Sequence, residues 1–144
     1  VDKDTDAAWV AAMEQAPLQW IVDDDGQPHP VQAGLRWARW MREEKLPGGL
    51  CVVGRDVWAD GSYLSTVFLG VDMGFGMGPG PGVFWETMFF PAGDGERPQR
   101  RYYSQREALA GHEALKREVI DDYPAMGEVV SSERWIPPEH RLPS

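Results

Sequence analysis

The sequence predicts an α+β fold, an antiparallel β-sheet with two to three packed helices in a single domain. Three observations carry the prediction. The middle of the chain has stretches of strand character, Tyr63–Val71 (YLSTVFLGV) and Val83–Phe90 (VFWETMFF), rich in the β-branched and aromatic residues that pleated surfaces favour. A capping box, Ser104-Gln105-Arg106-Glu107, opens a helical pattern that runs to about Ile120. With 144 residues, 42% apolar and 11% aromatic, the chain can fill one core and has little room for two.

Taken in order, residues 5–16 are predicted helical, capped by Thr5 or Asp6 and stopped by Pro17. Pro17–Val22 suits a short strand, and Asp23–Pro28 a turn. A second helix is expected from about Val31 to Lys45, with Val31, Leu35, Ala38, Met41 and Lys45 on one face. Leu50–Val53 and Asp56–Ala59 follow as separate strands, and Asp60-Gly61 signals a two-residue hairpin turn. Residues 1–120 form the globular domain. Residues 121–144, with four prolines, are expected as a C-terminal extension packed on the surface, with one strand near Val129–Trp135.

The net charge is −9 and unevenly spread. Residues 56–96 carry six acids and no base, whereas Arg36, Arg39, Arg42 and Lys45 cluster on the second predicted helix. Such a chain is a poor general binder of phosphate backbones, so no direct nucleic acid is expected. Six acids in 41 residues are also too sparse to imitate duplex DNA, which offers one charge per ~1.7 Å. No apolar run approaches the ~18 residues of a membrane span, so no membrane partner is expected. Cys51 is the single cysteine, which excludes an intrachain disulfide and a thiolate zinc cage and fits a reducing cytoplasm.

Four groups of residues could carry function. The glycines at 74, 76, 78, 80 and 82 lack the Lys-Ser/Thr of a P-loop, and Pro79 and Pro81 remove amides that would cradle phosphate. The loop therefore reads as a turned connection, with Phe75 and Met77 as a contact point for a partner. His112 falls near the centre of an apolar helix face with Ala108, Leu109, Leu115 and Val119. It is either a core histidine donating to a carbonyl or carboxylate, or a ligand joining Asp72 and Glu86 in an O,O,N metal site. Cys51 lacks a neighbouring base and reads as a small hydrophobe. Trp37 and Trp40, beside Arg36, fall off the apolar stripe of their helix. They are either covered by another part of the chain or an exposed anchor for a partner or dimer.

The set Ser65-Thr66-Val67-Phe68-Leu69-Gly70-Val71-Asp72, Phe75-Gly76, Glu86-Thr87-Met88-Phe89-Phe90, Arg101-Tyr102-Tyr103-Ser104 and Glu107-Ala108-x-x-Gly111-His112-Glu113 resembles a family of small uncharacterised proteins. These are encoded by phages and prophages of high-GC bacteria. The complete lack of Asn and the preference for Arg over Lys fit such a source. The resemblance spans about residues 18–120 and includes Trp37-Ala38-Arg39-Trp40. It differs at Met73, where the family commonly has His, and at Trp85, which separates Phe84 from Glu86.

The resemblance implies a phage setting but transfers no activity. The expectation is a phage-type accessory protein that binds a host protein or protein complex in the bacterial cytoplasm. Its sharpest form is an inhibitor of a nucleic-acid-handling defence complex, anti-CRISPR-like, acting by occlusion. The partner-binding residues expected are Trp37, Trp40, Arg36, Asp56, Asp60, Phe75 and Met77, with no cofactor. The alternatives are a homodimeric structural or regulatory phage protein, and a small metal-dependent hydrolase or ligand-binding protein using Asp72, Glu86 and His112.

Overall fold

The computed structural model, described for residues 19–31, 34–73 and 82–143, opens with an antiparallel hairpin of β1 (Gln19–Val22) and β2 (Pro28–Val31). The helix expected over 5–16 and the glycine-rich loop with Phe75 and Met77 lie outside the described residues. Helix α1 (Leu35–Glu44) follows the hairpin. Then β3 (Val52–Trp58), β4 (Tyr63–Phe68), β5 (Trp85–Phe90) and β6 (Gln99–Tyr102) run as an antiparallel meander. Helix α2 (Gln105–Asp122) crosses one face of that sheet, and β7 (Val129–Arg134) returns to pair with β3. The strand order is β6-β5-β4-β3-β7, every pair antiparallel.

Local chemistry accounts for most of these elements. Ser104 caps α2 by accepting from Glu107 N at 3.1 Å, while Glu107 reaches back to accept from Tyr103 N, one residue earlier than the usual box. The β3–β4 turn is a three-residue loop in which Trp58 N donates to Ser62 O and Gly61 N to Trp58 O, with Gly61 at φ 92°. This replaces the two-residue turn expected from Asp60-Gly61; the left-handed glycine closes a type I turn instead. The two strands expected around Gly54 and Arg55 are one strand, β3. Residues 121–144 supply both the end of α2 and the edge strand β7.

The sheet face beneath α2 is layered. At one end Val22, Met41, Cys51, Val53, Phe68, Phe84, Trp85 and Ala108 form an apolar cluster. At the other, Trp58, Leu64, Phe89, Leu115, Val119 and Met126 form a second. Burying each such Val, Leu or Phe contributes about 1.5–3 kcal/mol. Between the two lies a row of polar groups. It follows from the register, since Thr66 sits between Leu64 and Phe68 on β4, and Thr87 between Phe89 and Trp85 on β5. His112 drops into that row from α2, with Ala108 toward one cluster and Leu115 toward the other.

Candidate functional site

The polar row is the densest collection of reactive side chains in the described residues. Asp56, Thr66, Thr87 and His112 are all fully buried. His112 Nε2 donates to Asp56 Oδ2 at 2.7 Å, while its Nδ1 lies 2.7 Å from Thr66 Oγ1. Thr66 Oγ1 is in turn 2.5 Å from Thr87 Oγ1. Two further donors reach Asp56 from β7, Ser132 Oγ at 2.8 Å and Arg134 Nη2 at 2.6 Å. Lys116 Nζ on α2 stands 3.4 Å from its Oδ1, and Arg134 Nε also donates to Glu113.

Burial acts to raise the Asp56 carboxyl. The hydrogen bonds from His112, Arg134 and Ser132 overcome it and hold the group well below the usual carboxylate range. Asp56 is therefore the anionic centre of the core, with its charge answered from α2 and β7. The hydroxyl–imidazole–carboxylate connectivity matches that of a nucleophile, base and orienting acid. The Thr66 hydroxyl, however, is fully buried between α2 and the sheet. The arrangement ties α2 to β3, β4 and β7.

This geometry corrects one expectation. Asp56 is not an exposed acid of a recognition hairpin; β7 and α2 close over it, and Arg134 neutralises it. Asp60 remains exposed, with its Oδ1 accepting from Ser62 N in the turn. His112 is a core histidine donating to a carboxylate. Glu86 lies one residue from Thr87 on the opposite side of the pleat, where it accepts from Arg101 Nε at 3.1 Å and from Gln99. Asp72 accepts from Val83 N beyond the end of β4. Asp72, Glu86 and His112 are not brought together, and no cluster able to hold a metal occurs among the described residues.

Helix α1 carries the other candidate surface, and its orientation differs from expectation. Leu35 and Ala38, expected inside, are exposed, while Trp37, Trp40 and Met41 form the inner face. Turning two indoles inward removes more apolar area from water than burying a Leu and an Ala. Trp37 Nε1 donates to Trp20 O at 3.0 Å, and its ring lies against Gly70, where a Cβ would come within 2.9 Å. Trp40 meets Phe68 edge-on at 6.4 Å. Both indoles stay half-buried because their remaining surface lines a groove of about 680 Å³ with Ile21, Val31, Leu35 and Arg36.

The groove is apolar on its walls, with Arg36 as the charged residue of its lining. Leu35 is 90% exposed at its mouth. Among the described residues, Arg36, Arg39, Arg42 and Lys45 enter no ion pair, nor do Arg55, Arg97 and Arg117, whereas Arg100, Arg101, Arg106, Arg134 and Arg141 each have a carboxylate partner. A second cleft of about 360 Å³ lies between residues 48–50 and the end of β7. Its charges answer one another, with Arg141 on Asp24 and Asp25, and Glu133 on Gly48 N.

Sequence reasoning found Trp37, Trp40 and Arg36, and the structure places all three at one groove. It missed Ile21 and placed Val31 on the helix, whereas Val31 ends β2 and the helix starts at Leu35; β1 and β2 bring both residues to the groove. The short alternating stretch after Pro17 was the only signal for the first of these. Compared with known proteins, the chain matches no protein-family model, no curated protein and no solved structure. No helix among the described residues is long and apolar enough to cross a membrane.

Proposed function

We propose that this chain acts by binding another protein through the α1 groove. The observation that supports the reading is the contrast between the two candidate sites. The groups with catalytic chemistry are buried, while the groove opens an apolar surface of Trp37, Trp40 and Leu35 beside Arg36, which has no ion-pair partner among the described residues. Large aromatics and arginine are the residue types that dominate binding hot spots. In the phage setting implied by the sequence resemblance, the partner is a host protein. The sharpest version is a component of a nucleic-acid-handling defence complex, blocked by occlusion. Burial of Asp56 leaves Asp60 as the exposed acid of the β3–β4 turn, and α1 carries most of that version.

The test is affinity capture from lysate of a high-GC bacterium, read by mass spectrometry. Trp37→Ala and Trp40→Ala would disturb the core, so the informative variant is Leu35→Ser with Arg36→Ser, both exposed. A partner retained by the parent chain and lost by a variant of unchanged melting temperature supports the reading. A folded protein that captures nothing, or a partner held equally by the variant, counts against it.

A homodimer is the second reading. Strand β7 ends the sheet with Val129 and Val130 exposed, and it has neither the proline nor the lysine that commonly blunts an edge. By contrast the β6 edge is four residues long, follows Pro98 and carries two arginines. Light scattering at micromolar concentration should then report twice the monomer mass. A monomer removes this reading and leaves the groove untouched.

A further inference from the structure

We propose that the occupant of the α1 groove is an acidic polypeptide segment that carries large apolar side chains, presented by the partner protein. The inference rests on the binding role proposed for this groove and adds the chemistry of what enters it. It starts from an imbalance. The protein as a whole is strongly acidic, at −9, yet α1 places Arg36, Arg39, Arg42 and Lys45 within a ten-residue stretch. These four meet the acids Glu43 and Glu44, and Glu44 is engaged by Leu50 N. Outside α1, among the described residues, five of the eight arginines pair with a carboxylate, as Arg100 does with Glu118, Arg106 with Glu139 and Arg134 with Asp56 and Glu113, while Arg55, Arg97 and Arg117 stand apart from one another in the sequence.

Geometry places this charge where an incoming chain would meet it. Arg36 itself lines the groove, and Arg39 follows it one turn along the helix. The floor, made by Ile21, Val31, Trp37 and Trp40, offers no charged group. A segment that fits both features needs apolar side chains for the floor and carboxylates for the rim. Guanidinium groups suit that rim because their planar donors meet carboxylates two bonds at a time.

A single-stranded nucleic acid also seeks arginine and aromatic rings, but it needs ring faces free for base stacking. Here both indoles are half-buried, and the Trp37 ring is packed against Gly70. The net negative charge of the chain further opposes a polyphosphate. An acidic peptide presents fewer charges and delivers them locally, so the observations favour it.

The test uses the full chain and three fluorescently labelled probes: a helical peptide with Leu and Trp on one face and Asp and Glu on the other, the same peptide with Asn and Gln for the acids, and an oligo-dT strand. Binding is followed by anisotropy at low and high salt. The expected result is that the acidic peptide binds at least about tenfold more tightly than its neutral form. That preference should vanish at high salt and in Arg36→Glu/Arg39→Glu, whose melting temperature should be unchanged because both side chains are exposed. Equal binding of the two peptides, or tighter binding of oligo-dT, overturns the proposal.

Residues 1–18 of this chain, with Asp2, Asp4, Asp6 and Glu14 around Trp9 and Met13, have the same chemistry and serve as the competing occupant. Acidic-peptide binding that is absent from the parent chain and appears in Trp9→Ser/Met13→Ser assigns the groove to them and overturns the proposal. No binding in either form also overturns it. A lysate partner that depends on Leu35 but is insensitive to Arg36→Glu/Arg39→Glu would leave the binding role standing and reject only its acidic occupant.

Discussion

Gly54 forms the floor on which the His112 imidazole rests: a Cβ at position 54 would lie 2.9 Å from His112 Cγ and 3.0 Å from Nδ1. The backbone at Gly54 needs no special conformation, so its lack of a side chain is a matter of space. The ring can reach Asp56 on one side and Thr66 on the other only while it lies this close to β3.

Gly54→Ala should therefore destabilise the protein by about 1–3 kcal/mol, the usual cost of overpacking. Urea unfolding measures it. Because the cost arises against one ring, Gly54→Ala should cost less in a His112→Ala background, and a double-mutant cycle should show coupling. Purely additive effects would mean that the glycine serves another purpose.

Asp56→Asn should be the more damaging change. It removes the buried anion that answers His112, Arg134 and Lys116 and leaves the guanidinium only its partly exposed ion pair with Glu113. Breaking a buried pair in this way costs about 3–5 kcal/mol. Thermal melting would detect it, and a loss below about 1 kcal/mol, as at an exposed pair, would contradict the buried network.

The pH dependence follows from the carboxylates. The Asp56 carboxyl is held down by His112, Arg134 and Ser132 against the opposing effect of burial, Asp23 by His29, and Glu139 to about 2 by Arg106. A group whose folded pKa lies below its unfolded value binds its proton first in the unfolded chain. Its stabilisation is present above the unfolded pKa, about 3.9 for Asp and 4.3 for Glu, and is lost as pH falls through the folded pKa. Stability should decline from about pH 5 downward, with a flatter slope in Asp56→Asn. Urea midpoints measured across that range provide the check. Glu139 and Arg106 are exposed, so Glu139→Gln should change the slope little.

Cys51 is fully buried, and burial pushes its thiol up to about 12. The thiolate is the reactive form. A thiol reagent at neutral pH should modify the native protein far more slowly than the urea-unfolded chain. Rapid labelling of the native protein would contradict the placement of Cys51 in the core.

The elements that were readable from sequence are those held by local signals. The capping box set the start of α2, and the β-branched and aromatic runs marked β4 and β5. Two strands escaped notice because their chemistry argues against strands. β2 contains Pro28 and Pro30, tolerated in a two-stranded ribbon where one edge of the strand needs no partner, and β6 is Gln-Arg-Arg-Tyr. The role of Asp56 was illegible for a different reason. Its burial is decided by Arg134, 78 residues away, and by His112, 56 residues away. The orientation of α1 depended on β1 and β2 in the same way, since the pocket for Trp37 is built from Trp20 and Gly70.

The polar row between the two apolar clusters has a consequence for how the chain finds its fold. A strand that slips by two residues keeps the same faces inward, so hydrophobicity alone penalises such an error weakly. Here a slip of β4 against β5 would set Thr66 opposite Phe89 or Trp85 and strand a hydroxyl and an imidazole in apolar surroundings. Each stranded group costs about 1–3 kcal/mol. Thr66, Thr87, His112 and Asp56 thus work as a checksum on alignment, satisfied together in one register of three strands and a helix.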